Sequence, residues 1–155
     1  MDSHNDKHQY ILWVMLASAG FHIAEEYLLD FVSFAASVNV PITWREFDVI
    51  NMAYVVAGIA AAGIGWRAPA LSLSYPALLL TNFVFHTGMS FIEGRPNPGV
   101  FTSVLLFLPV GVCCFVFAAR DGVLTRRRTI VAIVLGVILQ SYAVVLVILR
   151  NLFAY

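Results

Sequence analysis

The sequence predicts an all-α protein, a polytopic membrane bundle of five transmembrane helices. Three observations predict it. Hydrophobic residues make up 61% of the chain and charged residues only 12%, about half the charge of a soluble domain. Mean hydropathy is +0.86. The apolar residues also fall into five runs, each near the length of about 20 residues that a bilayer core demands of a helix. With 155 residues there is room for one domain. It divides into a polar tail, residues 1–9, and a single five-helix transmembrane domain, residues 10–155.

The runs are Tyr10–Leu29, Val49–Trp66, Ala70–Phe91, Gly99–Ala119 and Thr129–Leu149. A helix satisfies its own backbone hydrogen bonds in hydrocarbon. Strand alternation is absent, and the runs are too long for barrel strands. Pro76 and Pro109 lie inside the third and fourth runs, where each predicts a kink. Ala17-Ser18-Ala19 has the form of a signal-peptidase site. The residues before it, with Asp2, Asp6 and Lys7, are not basic, and cleavage would destroy the first run. Retention is the expectation. Cys113 and Cys114 are adjacent, point to different sides of a helix and serve as small apolar residues.

Arginine placement sets the expected orientation. Arg120, Arg126, Arg127 and Arg128 lie between the fourth and fifth runs, and Arg67 between the second and third. The positive-inside rule puts both loops in the cytoplasm. The N-terminus is then cytoplasmic and the C-terminus outside. Formal net charge is zero, and no basic aromatic surface suggests a nucleic acid. The implied partners are the lipid bilayer and a lipid-like or apolar small molecule. Ala53, Ala57, Ala61 and Gly65 form a small-residue stripe. Such stripes serve internal packing more often than a dimer face, and a homodimer stays open.

Several polar groups interrupt the runs. Each charge in hydrocarbon costs about 2.5–3.5 kcal/mol even on the lenient insertion scale. His22, Glu25 and Glu26 stand at i, i+3 and i+4, which sets the imidazole beside both carboxylates. Asn82 and His86 are i, i+4 in the third run. Asn51 opens the second, Asn97 to Thr102 opens the fourth, and Gln140 lies mid-way along the fifth. At a rise of 1.5 Å per residue, His22 sits about 18 Å, Glu25 about 22 Å, His86 about 24 Å and Gln140 about 16 Å above the inner ends. All fall at mid-membrane or in the outer half, so a convergent polar site opening outward is the simplest reading.

The run His22-Ile23-Ala24-Glu25-Glu26, followed two runs later by Asn82-Phe83-Val84-Phe85-His86, resembles the HXXEE family of small membrane proteins. That family is named for the first motif and pairs it with N-x-x-x-H. Pro98-Gly99 with Thr102 is similar to the family as well. The resemblance covers nearly the whole chain. It implies a shared architecture and a shared site at His22, Glu25, Glu26, Asn82 and His86, and it implies no reaction.

The chemistry follows from the residue types. Two histidines and two glutamates make a first shell for zinc or non-haem iron. One glutamate would ligate while the other acts as general base, and Asn82 would orient a ligand or donate to a developing oxyanion. Helical di-metal carboxylate sites use four carboxylates. Two are present unless Glu93 joins, so one metal is favoured over two. Other readings stay open. The histidines could bond across helices, and the glutamates could pair with Arg95 or Arg150. His4 and His8 read as a solvated tail. Three classes therefore remain: a membrane-embedded metalloenzyme acting hydrolytically or oxidatively, an ion, proton or metal transporter, and a structural or accessory subunit. The five runs show no inverted repeat, which weighs against transport.

Overall fold

A computed structural model describes residues 7–153, the side chains at positions 144, 148 and 150–153 excepted. Six helices and no strand occur among the described residues: α1 (Ile11–Leu28), α2 (Phe31–Ser37), α3 (Trp44–Ile64), α4 (Pro69–Glu93), α5 (Val100–Arg120) and α6 (Arg126–Phe153). A 3-10 turn, Gly65–Arg67, joins α3 to α4.

Each apolar run is a helix with shifted ends. The α3 helix begins five residues before its run, at Trp44, because Thr43 and Glu46 form a capping box. The Glu46 carboxylate accepts from the Thr43 amide at 2.7 Å, and the Glu46 amide donates back to the Thr43 hydroxyl at 3.3 Å. This satisfies amides that a helix start leaves bare. The α2 helix lies in what the sequence reading left as an outer loop. Asp30 starts it, in the left-handed region with φ 51°, by accepting from the Ser33 amide at 3.1 Å.

The two prolines behave differently. The α4 helix is continuous through Pro76. In α5 the turn before Pro109 widens to π geometry over Ser103–Phe107. The Leu108 amide there reaches back to the Ser103 carbonyl. Such widened turns often lie at functional sites.

Among the described residues three helices are long and apolar enough to cross a membrane: Trp44–Arg67, Val100–Arg120 and Arg126–Val147, with mean hydropathies of 1.7, 2.5 and 2.7. The five spans expected from the sequence are therefore not all supported: α1 and α4 fall outside that set, and the reason is compositional. The α1 helix carries His22, Glu25 and Glu26, and α4 carries Ser72, Ser74, Thr81, Asn82, His86 and Ser90. These polar groups are mostly turned inward: His22, Glu26, Ser72, Ser74, Asn82 and His86 are all buried.

The α4 helix is central and packs on α6, α5, α3 and α1. Gly136 allows the closest approach of α6, since a Cβ there would lie 2.6 Å from Ala77 Cβ and 2.7 Å from the Leu78 amide nitrogen. The core holds Leu12, Met15, Leu73, Leu78, Phe107 and Cys114. Cys114 is buried, Cys113 is half-buried, and both thiols are free. In the small-residue stripe, Ala61 and Gly65 are buried, Ala57 is half-buried and Ala53 is exposed, so its inner half serves internal packing. Trp13, Phe21, Met52, Val56, Leu105 and Ile130 are exposed on the outside of the bundle.

The start of α1 and the ends of α3 and α5 are tied by a polar knot. Asp121 accepts from the His8 amide at 3.0 Å and the Trp66 indole N–H at 2.8 Å, and it pairs with His8 Nδ1 at 2.6 Å. The Trp66 amide donates to Gln9 at 3.3 Å. His8 and Gln9 are thereby packed against the bundle, while His4 lies outside the described residues.

Candidate metal centre

Three of the side chains singled out in the sequence converge. One ligand atom from each of His22, Glu26 and His86 lies within 4.8 Å of the others, and all three residues are buried. Glu26 Oε1 is 3.6 Å from His22 Nε2 and 3.3 Å from His86 Nε2. The two rings stand edge to face with centroids 4.7 Å apart. The i, i+4 step along α1 brings Glu26 over His22, and α4 brings His86 in from the side.

Glu25 is not part of this cluster. One residue along a helix is a turn of about 100°, so its carboxylate points away from Glu26, toward the start of α5. There Oε1 accepts from the Gly99 amide at 3.0 Å and the Phe101 amide at 3.1 Å. Oε2 accepts from the Thr102 amide at 2.7 Å and the Thr102 hydroxyl at 2.5 Å. Glu25 thus caps α5 from a different helix, which satisfies the bare amides of that terminus and suits its dipole. These four bonds leave it no part in holding an ion with the histidines.

That cap also orients His22. The Thr102 hydroxyl donates to Glu25. Its oxygen lies 2.9 Å from His22 Nδ1, with Ser103 Oγ at 3.4 Å from the same atom, an arrangement that suits a neutral imidazole with its hydrogen on Nδ1. His22 Nε2 is left as a lone pair, buried and with no hydrogen-bond partner. His86 repeats the pattern, with Nδ1 3.1 Å from Asn97 Oδ1 and Nε2 facing Glu26. Asn97 is held in turn by its amide, which donates to the Ser90 hydroxyl at 2.9 Å. Thr102 and Asn97 therefore stand behind the two rings as the outer partners of metal-binding histidines do.

Gly99 closes the inner side of the ring pair. Its φ is +93°, and a Cβ would lie 2.6 Å from His22 Cε1 and 2.8 Å from His86 Cε1. Only glycine suits both that backbone and that approach.

Asn82 is buried beside the cluster, and its Oδ1 has no partner. Glu93 is exposed at the far end of α4. Arg95 does not pair with either glutamate: its guanidinium lies 4.9 Å from the Phe34 ring centroid and donates to Ser37 on α2. The side chain of Arg150 lies outside the described residues.

Glu26, His86, Asn82 and Asn97 open onto a cavity of about 410 Å3 bounded by α2, α3, α4 and α6. Asn51 and Gln140, prominent in the sequence, line it as well. So does Tyr54, which the sequence reading did not single out; a lone tyrosine among apolar residues carries no signal. The α2 wall was also missed, although Asp30 before an apolar run is a helix-start signal.

No curated protein and no solved structure matches the chain. Residues 13–114, well over half of the chain and including His22, Glu26, Asn82, His86, Gly99 and Thr102, match the family described as a protein of unknown function with HXXEE motif, and the chain belongs to that family.

Proposed function

We propose that the chain is a membrane-embedded metalloenzyme that acts hydrolytically or oxidatively on a lipid-like substrate, at a single zinc or iron ion held by His22, Glu26 and His86. One observation carries the reading: two imidazole Nε2 atoms and one carboxylate oxygen meet in a buried site. The partners behind the rings suit hydrogens on Nδ1, facing away. The 3.6 Å between His22 Nε2 and Glu26 exceeds the 2.7–3.2 Å or so of a hydrogen bond. By contrast, ligands bound at about 2.0–2.1 Å in a tetrahedron stand about 3.3 Å apart, close to both Glu26–histidine separations. Two histidines and one carboxylate suit catalytic zinc and non-haem iron alike.

When bound, such an ion supplies Lewis acidity or an activated water. The chain's own residues divide the remaining work. With Glu25 committed to α5, Glu26 is the only carboxylate among the described cavity-lining residues, so the Glu26 oxygen not given to the ion would be the group left to take a proton. Asn82 positions the substrate. The apolar walls exclude water.

The chain is read as multi-pass with five spans, an inside N-terminus and an outside C-terminus. Lengths support the two further spans: 18 residues in α1 and 25 in α4 reach about 27 and 38 Å at 1.5 Å per residue, and their polar groups are sheltered inside the bundle. Reporters fused after Asn97 and after Arg126 should lie on opposite sides; the same side for both contradicts this topology. A transporter is less well supported. Below the site, α1 and α4 present Leu12, Met15, Leu73 and Leu78, all fully buried and apolar.

The test is a cobalt(II) titration of metal-free protein in nanodiscs. Saturation at one ion per chain, with d–d bands of a low-coordinate nitrogen and oxygen site, is expected, and His86→Ala should lose it. Absence of saturable binding by wild-type protein overturns the proposal and favours a proton shared among the three groups.

A further inference from the structure

The cavity beside the cluster has a polar end and an apolar end. At the polar end, Asn82 Oδ1 and Asn97 Nδ2 are buried with no hydrogen-bond partner. One is an acceptor and the other a donor, and both residues line the cavity. Unpaired buried groups of this kind are costly, and few native proteins leave two of them on residues that line one cavity. The Tyr54 hydroxyl nearby reaches Gln140 at only 3.5 Å, a long contact that a better partner would replace. At the other end, Phe34, Val38, Val40, Ile42 and Phe47 from α2, its following loop and α3 form an apolar sleeve. Among the described residues no Lys, Arg or Asp lines the cavity, and Glu26, its one carboxylate, faces two imidazoles.

We infer that this cavity holds a single-chain lipid whose uncharged head both donates and accepts a hydrogen bond, a long-chain alcohol or primary amide. The head gives its hydrogen to Asn82 Oδ1 and takes one from Asn97 Nδ2. Among the described side chains of the cavity no Lys or Arg awaits an anionic head, and without a bound ion such a head meets the charge of Glu26. A volume of about 410 Å3 lies at the small end of the range of ligand pockets, about 300–1,000 Å3, which suits one alkyl chain and not a two-chain phospholipid. The inference rests on the reading of this cavity as the substrate's side of the metal site, and it names the class of substrate.

The experiment measures equilibrium binding of radiolabelled 1-dodecanol to the full chain in nanodiscs. Competitors at equal mole fraction in the bilayer are dodecanamide, dodecyl methyl ether, dodecanoate and dodecyltrimethylammonium. Dodecanol should saturate near one per chain and dodecanamide should displace it. The ether accepts but cannot donate, so it should compete about tenfold less well, the order of change expected when a buried acceptor is left unpaired. Neither ion should compete when the preparation is stripped of metal, so that no bound cation can take a carboxylate. In Asn82→Leu the alcohol and the ether should become equivalent. Equal competition by the ether in wild-type protein, preferential displacement by either ion from the stripped preparation, or no saturable dodecanol binding overturns the inference. Metal content is measured on the same preparation before stripping. Full metal without dodecanol binding overturns the lipid assignment alone, whereas dodecanol binding without metal upholds it and overturns the metal reading.

Discussion

Among the described residues two carboxylates meet histidine, at opposite ends of the bundle, and they are built differently. Asp121 meets donors: the His8 amide, the Trp66 indole N–H and the His8 ring. Glu26 meets two ring nitrogens, Nε2 of His22 and of His86, whose Nδ1 atoms lie against Thr102 and Asn97. The first assembly is complete as it stands and ties three segments together. The second leaves His22 Nε2 buried without a hydrogen-bond partner. Residue type alone does not separate a structural knot from a site; what stands behind each ring does.

The largest contrast is expected from paired substitutions. Glu26→Gln should weaken cobalt(II) binding by well over about 100-fold, more than the roughly 10–100-fold that loss of an outer partner costs, because it removes a ligand. Asp121→Asn should leave that affinity unchanged and lower the unfolding midpoint. If Asp121→Asn weakens cobalt binding as much as Glu26→Gln does, the two ends are not independent and the distinction fails.

A middle-sized effect tests the outer partners. Thr102→Val removes the hydroxyl between Glu25 and His22, so the ring is free to turn its hydrogen onto Nε2. Affinity for cobalt should fall about 10–100-fold, with the ion count at saturation still one. Titrations of wild-type and variant protein read this directly, and an unchanged affinity would show that Thr102 does not set the ring.

The smallest effect is a pH dependence at Asp121. Burial pushes the Asp121 carboxyl up, but the hydrogen bonds from His8 and Trp66 outweigh it and hold it below its ordinary value of 3.8. The unfolded chain binds the proton more readily than the folded one, so stability falls as pH falls. The contribution is fully present above the ordinary value and is lost as pH drops through the lowered one. Unfolding midpoints of wild-type and Asp121→Asn protein should therefore converge toward acid. A gap that stays constant from pH 7 to pH 3 contradicts the assignment.

Much of the His22, Glu26 and His86 cluster was legible in the sequence. The i, i+4 step from His22 to Glu26 and from Asn82 to His86 gives the facing edges of two helices, and burial cost argues that such groups converge. Glu25 was harder to place. It is i+3 from His22 and so lies within reach by spacing, but its partners are amides of α5, and no pattern in α1 reports on the start of a helix some 75 residues away. Thr102 and Asn97 were visible as polar residues but not as the groups that orient the rings, since that depends on a hydroxyl hydrogen shared with Glu25. The five apolar runs gave the long helices. Their ends moved where capping, as at Thr43 and Glu46, outweighs hydropathy. The α2 helix escaped because seven residues carry too little periodicity, and the cavity wall it supplies was hidden with it.

X-ray absorption of wild-type protein, purified without chelator and loaded with zinc or iron, tests the metal centre most directly. One metal per chain is predicted, with nitrogen and oxygen neighbours at about 2.0–2.1 Å, outer-shell scattering of two imidazoles and no sulfur. Metal below about a tenth per chain, or a spectrum with fewer than two imidazoles that His22→Ala leaves unchanged, would contradict it.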